Sequence, residues 1–544
     1  MKKINPTQSE NITIDLRQGV NRRDFLRLSA LLGAGIASGL GLSACAPAAT
    51  PPSAAPSGAA PAPAKPSGPS GTLTIAQGVD IESIDPYITT SGASKGIMWT
   101  IFDRLVYRDI NLKVQPGLAL SWKNVDDNTW EFKLREGVKF HNGEAFNAEA
   151  VKYSFARFVD PNIKNGYATL FKPVKEVEVV NDSTVRVKTS EPFAELVEVL
   201  ASYCEILPPK AAADKDAFYK NPVGTGPYKF VSWTANDKFV VEAAGPHWSG
   251  EPRMKQVVFR PIPDGTTRIT ELRSGGVDII TNVSPLLLGN LQNQPGIALE
   301  RATGSGSIIL IPNVTNNPMF AKKEVRQALQ YAIDKEAIIK AVLQGAAVPL
   351  TSPFPKGVAG GFVDDLKMYP YDPDKAKSLL KQAGAENLKV AFKAPNGRYL
   401  QDKAVAEAIV GQLDKVGIKA ELETIEWSQY VQGIIGRKYE LFLLSQGGVQ
   451  VGPAATTNWS SKIKGIAWQG YTNPEADDLM DKAAKTVDGA QRQATYEKLM
   501  RLVWDESPWI FLYHQQDIYG LRDRVKNFKA TSEGSLRLEK TEVV

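Results

Sequence analysis

Apolar and polar positions follow two periods along this chain. Thr72-Leu73-Thr74-Ile75-Ala76 alternates with period two and predicts a short strand. Residues 122–133 read as strand, turn and strand about Asp126-Asp127-Asn128. Residues 177–188 repeat that design: Val177 and Val179 alternate before Asn181-Asp182, and Val185 and Val187 after it. Between the two hairpins, Val151, Phe155 and Phe158 share one face of a helix that Asn147 would cap. Residues 104–222 are therefore predicted to be a mixed α+β unit.

In the second half the period lengthens. Val325, Leu329, Ala332, Ile333, Ile338, Ile339, Val342 and Leu343 predict helix over 322–343, with Asp334 as a point of division and Gly345 as the stop. Asp372-Pro373 opens another helix, and Gly384 ends it. Strand is then predicted at 388–392, helix at 401–416 up to Gly417, strand at 418–424, helix at 428–436, strand at 440–445 and helix at 490–506. This alternation predicts a parallel sheet with crossover helices, hence an α/β fold. In such sheets ligands bind beyond the carboxyl ends of the strands. Residues 393–399 and 445–453 follow two of those ends and are rich in Gly, Asn and Gln.

The N-terminus obeys neither period. Asn21-Arg22-Arg23-Asp24-Phe25-Leu26-Arg27 precedes an uncharged run from 28 to 44, the order of a secretory signal. The pair Arg22-Arg23 is similar to a twin-arginine export signal. The run is Gly- and Ala-rich, too weakly apolar for a permanent membrane span of ~20 residues. It ends at Leu42-Ser43-Ala44-Cys45, which resembles the bacterial lipobox and implies a lipid on Cys45. Residues 46–71 are almost entirely Ala, Pro, Ser, Gly and Thr, the composition of a tether that cannot bury a core.

The chain's 544 residues exceed one ordinary domain, and 43% hydrophobic with 23% charged residues is a globular composition. Its net charge of +5 is concentrated in the leader. The body is nearly neutral, which argues against a nucleic-acid partner. Two cysteines and three histidines leave little for disulfide, metal or acid–base chemistry, and Cys204 reads as a core residue. There is no Gly-x-Ser-x-Gly elbow, no phosphate-binding loop, no HExxH, no CxxC and no GxGxxG after a strand. The residues point to an exported, tethered binding protein, without cofactor, and not to an enzyme.

Several stretches carry a resemblance. They are Pro116-Gly117-Leu118-Ala119, the run from Leu134-Arg135-Glu136-Gly137 to His141-Asn142-Gly143, Pro222-Val223-Gly224-Thr225-Gly226-Pro227-Tyr228, Glu324-Val325-Arg326-Gln327-Ala328-Leu329, and Tyr371-Asp372-Pro373-Asp374. In this order they resemble the extracellular solute-binding proteins of family 5, the binding subunits of ABC importers for peptides, nickel and some oligosaccharides. The resemblance implies a type II periplasmic-binding-protein-like fold. Lobe I would comprise 72–103, 224–303 and 512–544, a small additional α+β lobe 104–223, and lobe III 304–511. A monomer would close by a hinge around its ligand and present the closed form to a membrane permease and, through it, to ATPase subunits.

The same resemblance implies the pocket. In dipeptide-binding members an Arg after a lobe III strand clamps the ligand carboxylate. That position falls in Ala394-Pro395-Asn396-Gly397-Arg398-Tyr399, so Arg398 is the expected clamp, with Asn396 and Tyr399 beside it. Those members hold the ligand ammonium with an Asp in a later segment. Here that segment reads Ser445-Gln446-Gly447-Gly448-Val449-Gln450, with Val449 in the acid's place and Gln446 in that of a Trp. Val cannot pair a buried ammonium, so either another acid reaches in or the ligand lacks the amine. Gln446, Gln450 and Asn458 are candidate neutral hydrogen-bonders, and Trp427 and Trp459 are candidate stacking platforms. Thr90-Ser91-Gly92 would line the cleft from lobe I, and Ser305, Ser307 and Asn313 from lobe III. Peptide-like ligands are expected first and an oligosaccharide or anionic metabolite second. An exported hydrolase and a non-delivering sensor or chaperone are the remoter readings. Nickel is disfavoured, because no His falls at these strand ends.

Overall fold

The computed structural model describes residues 68–544 apart from 89–91, 166, 359, 447–457, 463–468, 533 and 535; the side chains of 305 and 428 also lie outside the description. Arg22, Arg23, Cys45 and the tether are therefore outside the described residues, as are Thr90, Ser91, Gly448, Val449 and Gln450.

One 11-stranded sheet runs through the described body. Its strands are β1 (Ser70–Gln77), β2 (Tyr228–Thr234), β3 (Lys238–Ala243), β4 (Met254–Pro261), β5 (Ile279–Ile280), β6 (Ile297–Pro312), β7 (Lys389–Asn396), β8 (Lys419–Glu426), β9 (Leu441–Gln446) and β10 (Ile510–Arg522). In space they lie in the order β8-β7-β9-β6-β10-β5-β1-β4-β3-β2, with the short strand Ala347–Pro349 added against β10. The predicted alternation yields parallel pairs: β7 runs parallel to β8 and β9, with the helices Asp402–Lys415 and Trp427–Ile435 as crossovers. At the other end β1 runs parallel to β4 and β5.

The antiparallel strands β6 and β10, 16 and 13 residues long, join these two ends. Thr303 pairs with Gln516 but Ser307 pairs with His514, so three residues of β6 oppose one of β10. An extra-residue break of this kind bends a strand and increases its twist. Beyond it, Ile308 to Ile311 are buried on both faces, hence a continuous apolar run in place of an alternating one. Ile308 and Leu310 pack with Phe392, Val405 and Ile409 on one face; Ile309 and Ile311 pack with Trp459, Trp509 and Phe511 on the other.

Local signals set the helix ends. Asn147 Oδ1 accepts from Ala150 N at 3.2 Å and starts the helix Ala148–Phe158. Asp334 divides the long predicted helix into Lys323–Ala332 and Lys335–Ala341 and caps the second through Ala337 N at 2.8 Å. Asp372 caps Pro373–Gln382 through Lys375 N at 2.9 Å.

A separate four-stranded antiparallel sheet, Ala119–Asp126, Thr129–Leu134, Thr184–Thr189 and Val174–Asn181, contains both predicted hairpins. Its core is continuous with that under β1: Phe132, Phe155 and Val185 belong to one cluster with Leu73 and Ile75. The chain returns from it through Gly224-Thr225-Gly226. A Cβ on Gly224 would stand 2.0 Å from the carbonyl oxygen of Ile101, so this segment can pass the end of the helix Gly92–Ile101 only as glycine.

Candidate functional site

The site begins where β7 ends. The chain must turn from Asn396 into the helix Asp402–Lys415, and the buried Asp402 carboxylate organises that turn. It accepts backbone N–H groups from Gly397 at 3.0 Å, Arg398 at 2.8 Å, Tyr399 at 3.0 Å and Lys403 at 2.9 Å. A carboxylate at a helix N-terminus also meets the positive end of the helix dipole. The Tyr399 hydroxyl accepts from Ser445 N at 3.0 Å and ties the turn to the end of β9. Burial pushes that hydroxyl's pKa above its ordinary value. The Arg398 guanidinium stands 4.9 Å from the centroid of the Trp427 ring and 5.8 Å from that of Tyr399. Trp427 in turn stacks on Tyr430 at 5.9 Å, so Arg398 is steered by an aromatic shelf. None of the ion pairs among the described residues involves Arg398.

Arg398 and Ser445 face a cavity of about 490 Å³ at the break between β6 and β10. The opposite wall comes from Gln77 and Val79 after β1, Gly92 and Ala93 at a helix start, Thr281 and Asn282 after β5, and Ser532, Gly534 and Leu536 near the C-terminus. Gly304 and Gly306 of β6 and Gln515, Asp517 and Tyr519 of β10 complete it. The volume is that of a small-molecule site, which spans ~300–1,000 Å³. A Cβ on Gly306 would approach Ser445 Oγ to 2.8 Å, so glycine leaves the serine hydroxyl room at the lining. Burial pushes the Asp517 carboxyl up to about 6.

The structure sorts the sequence-predicted residues. Arg398 lines the cavity, and Tyr399 and Trp427 hold it in place without being among the lining residues. Asn396 is exposed at the end of β7, outside the lining. Gln446 is a correction: side chains alternate along β9, so Ser445 faces the cavity, while Gln446 donates to Asn458 Oδ1 at 3.0 Å. Trp459 is a second correction: it is 0% exposed, its ring 4.7 Å from that of Trp509 in the core. Asn313 is a third: its buried side chain accepts from the backbone of Thr315 and Asn316 and shapes the turn after β6, away from the cavity. Ser307 also turns inward, its hydroxyl donating to Pro353 O at 3.1 Å. Ser305 lies between the two lining glycines, its side chain outside the description. Sequence reasoning missed Ser445, Gln515, Asp517 and Tyr519. Only the β6–β10 pairing brings the β10 side chains to this place, and no local motif marks them.

One arrangement superficially fits a hydrolase. His247 Nδ1 is 2.6 Å from Ser249 Oγ, and His247 Nε2 is 3.0 Å from Asp103 Oδ2. The serine sits two residues from its histidine in the turn after β3, and none of the three lines the cavity above. Asp103 also accepts from Thr225 and Trp248; burial would raise its pKa, but these bonds and the one to His247 hold it below the ordinary value. The cluster locks the return segment at Thr225 against the end of the helix Gly92–Ile101. Cys204 is buried, and burial raises its thiol pKa well above the ordinary value, which suits a core residue. Among the described residues no helix is long and apolar enough to cross a membrane.

Comparison with known proteins places the chain in a family. Residues 113–467 match the family described as bacterial extracellular solute-binding proteins, family 5 Middle. The chain is 31% identical over 455 residues to the glutathione-binding protein GsiB of Pectobacterium atrosepticum, covering 80% of this chain and 87% of the relative. Its structure is similar, at a TM-score of 0.71 and 28% identity, to the ABC transporter-associated periplasmic binding protein DppA from Helicobacter pylori in complex with the peptide STSA, covering 87% of this chain and 98% of that one. It is also similar, at a TM-score of 0.70 and 27% identity, to AgaA of A. tumefaciens R10 in complex with agropinic acid, covering 87% and 99%. The chain thus belongs to the family 5 bacterial extracellular solute-binding proteins, as a substrate-binding protein of an ABC importer and not an enzyme.

Proposed function

We propose that this protein captures a peptide-like solute with a free carboxylate and passes it to a permease. The observation that carries the reading is Arg398, which faces a cavity of small-molecule size without an ion-pair partner among the described residues. A guanidinium offers two parallel donors to a carboxylate, so such a ligand completes what the site lacks. The names of the GsiB relatives make glutathione the first probe. In this reading the break at Thr303/Ser307 is the hinge. Residues 72–103, 224–303 and 512–544 form one lobe, 304–511 the opposing lobe and 104–223 the additional one. Lipid on Cys45 and the tether 46–71 keep the body at the outer face of the membrane. The AgaA likeness favours a second reading, an anionic metabolite held by the same Arg398.

Calorimetric titration of the purified chain tests these readings with reduced glutathione, a dipeptide, a tetrapeptide and agropinic acid. A peptide-like ligand binds in the micromolar range or tighter, and Arg398→Ala weakens it on the order of 100-fold. Binding of agropinic acid alone selects the second reading. Unchanged peptide affinity in Arg398→Ala removes the clamp. The anchor is checked in the same preparation, where Cys45→Ala moves the protein out of the membrane fraction.

A further inference from the structure

The peptide reading leaves one charge of a zwitterionic ligand unmatched, because Val449 stands where an ammonium-binding acid is expected. We infer that Asp517 on β10 supplies it: Arg398 receives the ligand's carboxylate and Asp517 its ammonium, within one cavity. This inference rests on the peptide-like reading of that cavity.

Three observations carry it. First, Asp517 and Arg398 line the same space of about 490 Å³ but come from elements far apart in the chain, the crossing strand β10 and the turn after β7. Second, no hydrogen bond or ion pair engages the Asp517 carboxylate among the described residues. Its raised pKa is due to burial, and the charge of Arg398 does not offset it. The two opposite charges thus face one cavity without neutralising each other. A desolvated carboxylate without a partner is unfavourable until a cation reaches it. Third, the residue beside that carboxylate carries no side chain. Gly304 lies against it, and a Cβ there would come to 3.7 Å from Asp517 Oδ2. The β6–β10 register breaks at the same place, leaving Gly304 and Gly306 in the lining where larger side chains would fill the space. The ligand class that fits is one with an amine and a carboxylate held apart, as in glutathione or a short peptide with a free N-terminus. Because Asp517 is on a strand of the continuous sheet, the ammonium site is held by the scaffold and not by a loop.

The test pairs each ligand with its amine-blocked form. Reduced glutathione, a dipeptide, a tetrapeptide and their N-acetylated counterparts are titrated into the wild-type chain and into Asp517→Asn, which keeps size and shape; thermal melting checks that the variant is folded. The expected result is a loss on the order of 100-fold for the free-amine ligand in the variant. N-acetylation should cause a comparable loss in the wild type, and the substitution should change the N-acetylated ligand less than about threefold. Wild-type binding of free amines that survives Asp517→Asn within about twofold overturns this inference and leaves the peptide reading intact. So does an equal loss for both forms, which marks a merely structural role. Silence of the wild type toward every peptide overturns both.

Discussion

At the scale of single residues, the Asp517 carboxyl sets a pH dependence with a definite sign. Its pKa rises from an ordinary value of 3.8 to about 6 on folding. The folded protein therefore binds a proton that the unfolded chain releases between those values. This stabilises the unliganded fold below pH ~4, and the contribution is lost as the pH rises through about 6. An ammonium ligand needs the carboxylate, so its affinity should rise from pH 5 to pH 7 and then level off. Of the groups near it, the Tyr519 hydroxyl is held above its usual value, and buried His514, held near 4, stays neutral. Arg301, on the adjacent strand, reaches Gly345 and Gln516 instead. Calorimetry at several pH values checks this, and the slope should vanish in Asp517→Asn. Legibility was uneven at this scale. Arg398 stood out because the turn after β7 keeps the family's local sequence. Asp517 did not, because Gln515-Gln516-Asp517 reads as any polar trio within a strand. Trp459 and Asn313 misled because a Trp or an Asn has the same composition in a core or a turn as in a cleft.

At the scale of elements, strand and helix boundaries followed local chemistry closely. Asn147, Asp334 and Asp372 each cap the helix that their sequence announces. Elements with a weak apolar period were missed. The helix Gly265–Ser274 buries only Arg268, Ile269 and Leu272, too few to show an apolar period, and only its capping residues Asp264 and Gly275 announce it. The turn 397–401 yields a prediction of its own. Asp402 holds three successive backbone N–H groups ahead of its helix, so Asp402→Ala should lower stability by about 1 kcal/mol, as for a lost helix cap. It should also release Arg398 from its position and weaken the Arg398-dependent ligand roughly tenfold with the guanidinium intact. Thermal melting and titration of this variant separate the two effects. Unchanged affinity would mean that Trp427 and Tyr399 alone position Arg398.

At the scale of the whole molecule, the core that runs from β1 into the four-stranded sheet is pinned by a buried ion pair. Arg157, on the helix Ala148–Phe158, donates to Asp85 at 3.2 and 2.6 Å, and Tyr219 donates to the same carboxylate at 3.1 Å. The two charged side chains are 5% and 0% exposed. Removing one partner strands the other charge in a dry interior, so Asp85→Asn should destabilise by about 3–5 kcal/mol. Chemical denaturation of wild type and variant measures it, and a change below about 1 kcal/mol would show that solvent reaches the pair. What the sequence determined by itself was whatever depends on near neighbours: the α/β alternation by period, the helix ends by capping residues, and the family by segments in order. Only the tertiary structure decided that β6 and β10 pair with a three-against-one break, that Ser445 and not Gln446 faces the resulting cavity, and that Asp517 and Arg398 line the same cavity. Those outcomes depend on the register between strands distant in the chain. A shift of one residue there exchanges the two faces, and no local pattern records which face the fold selects.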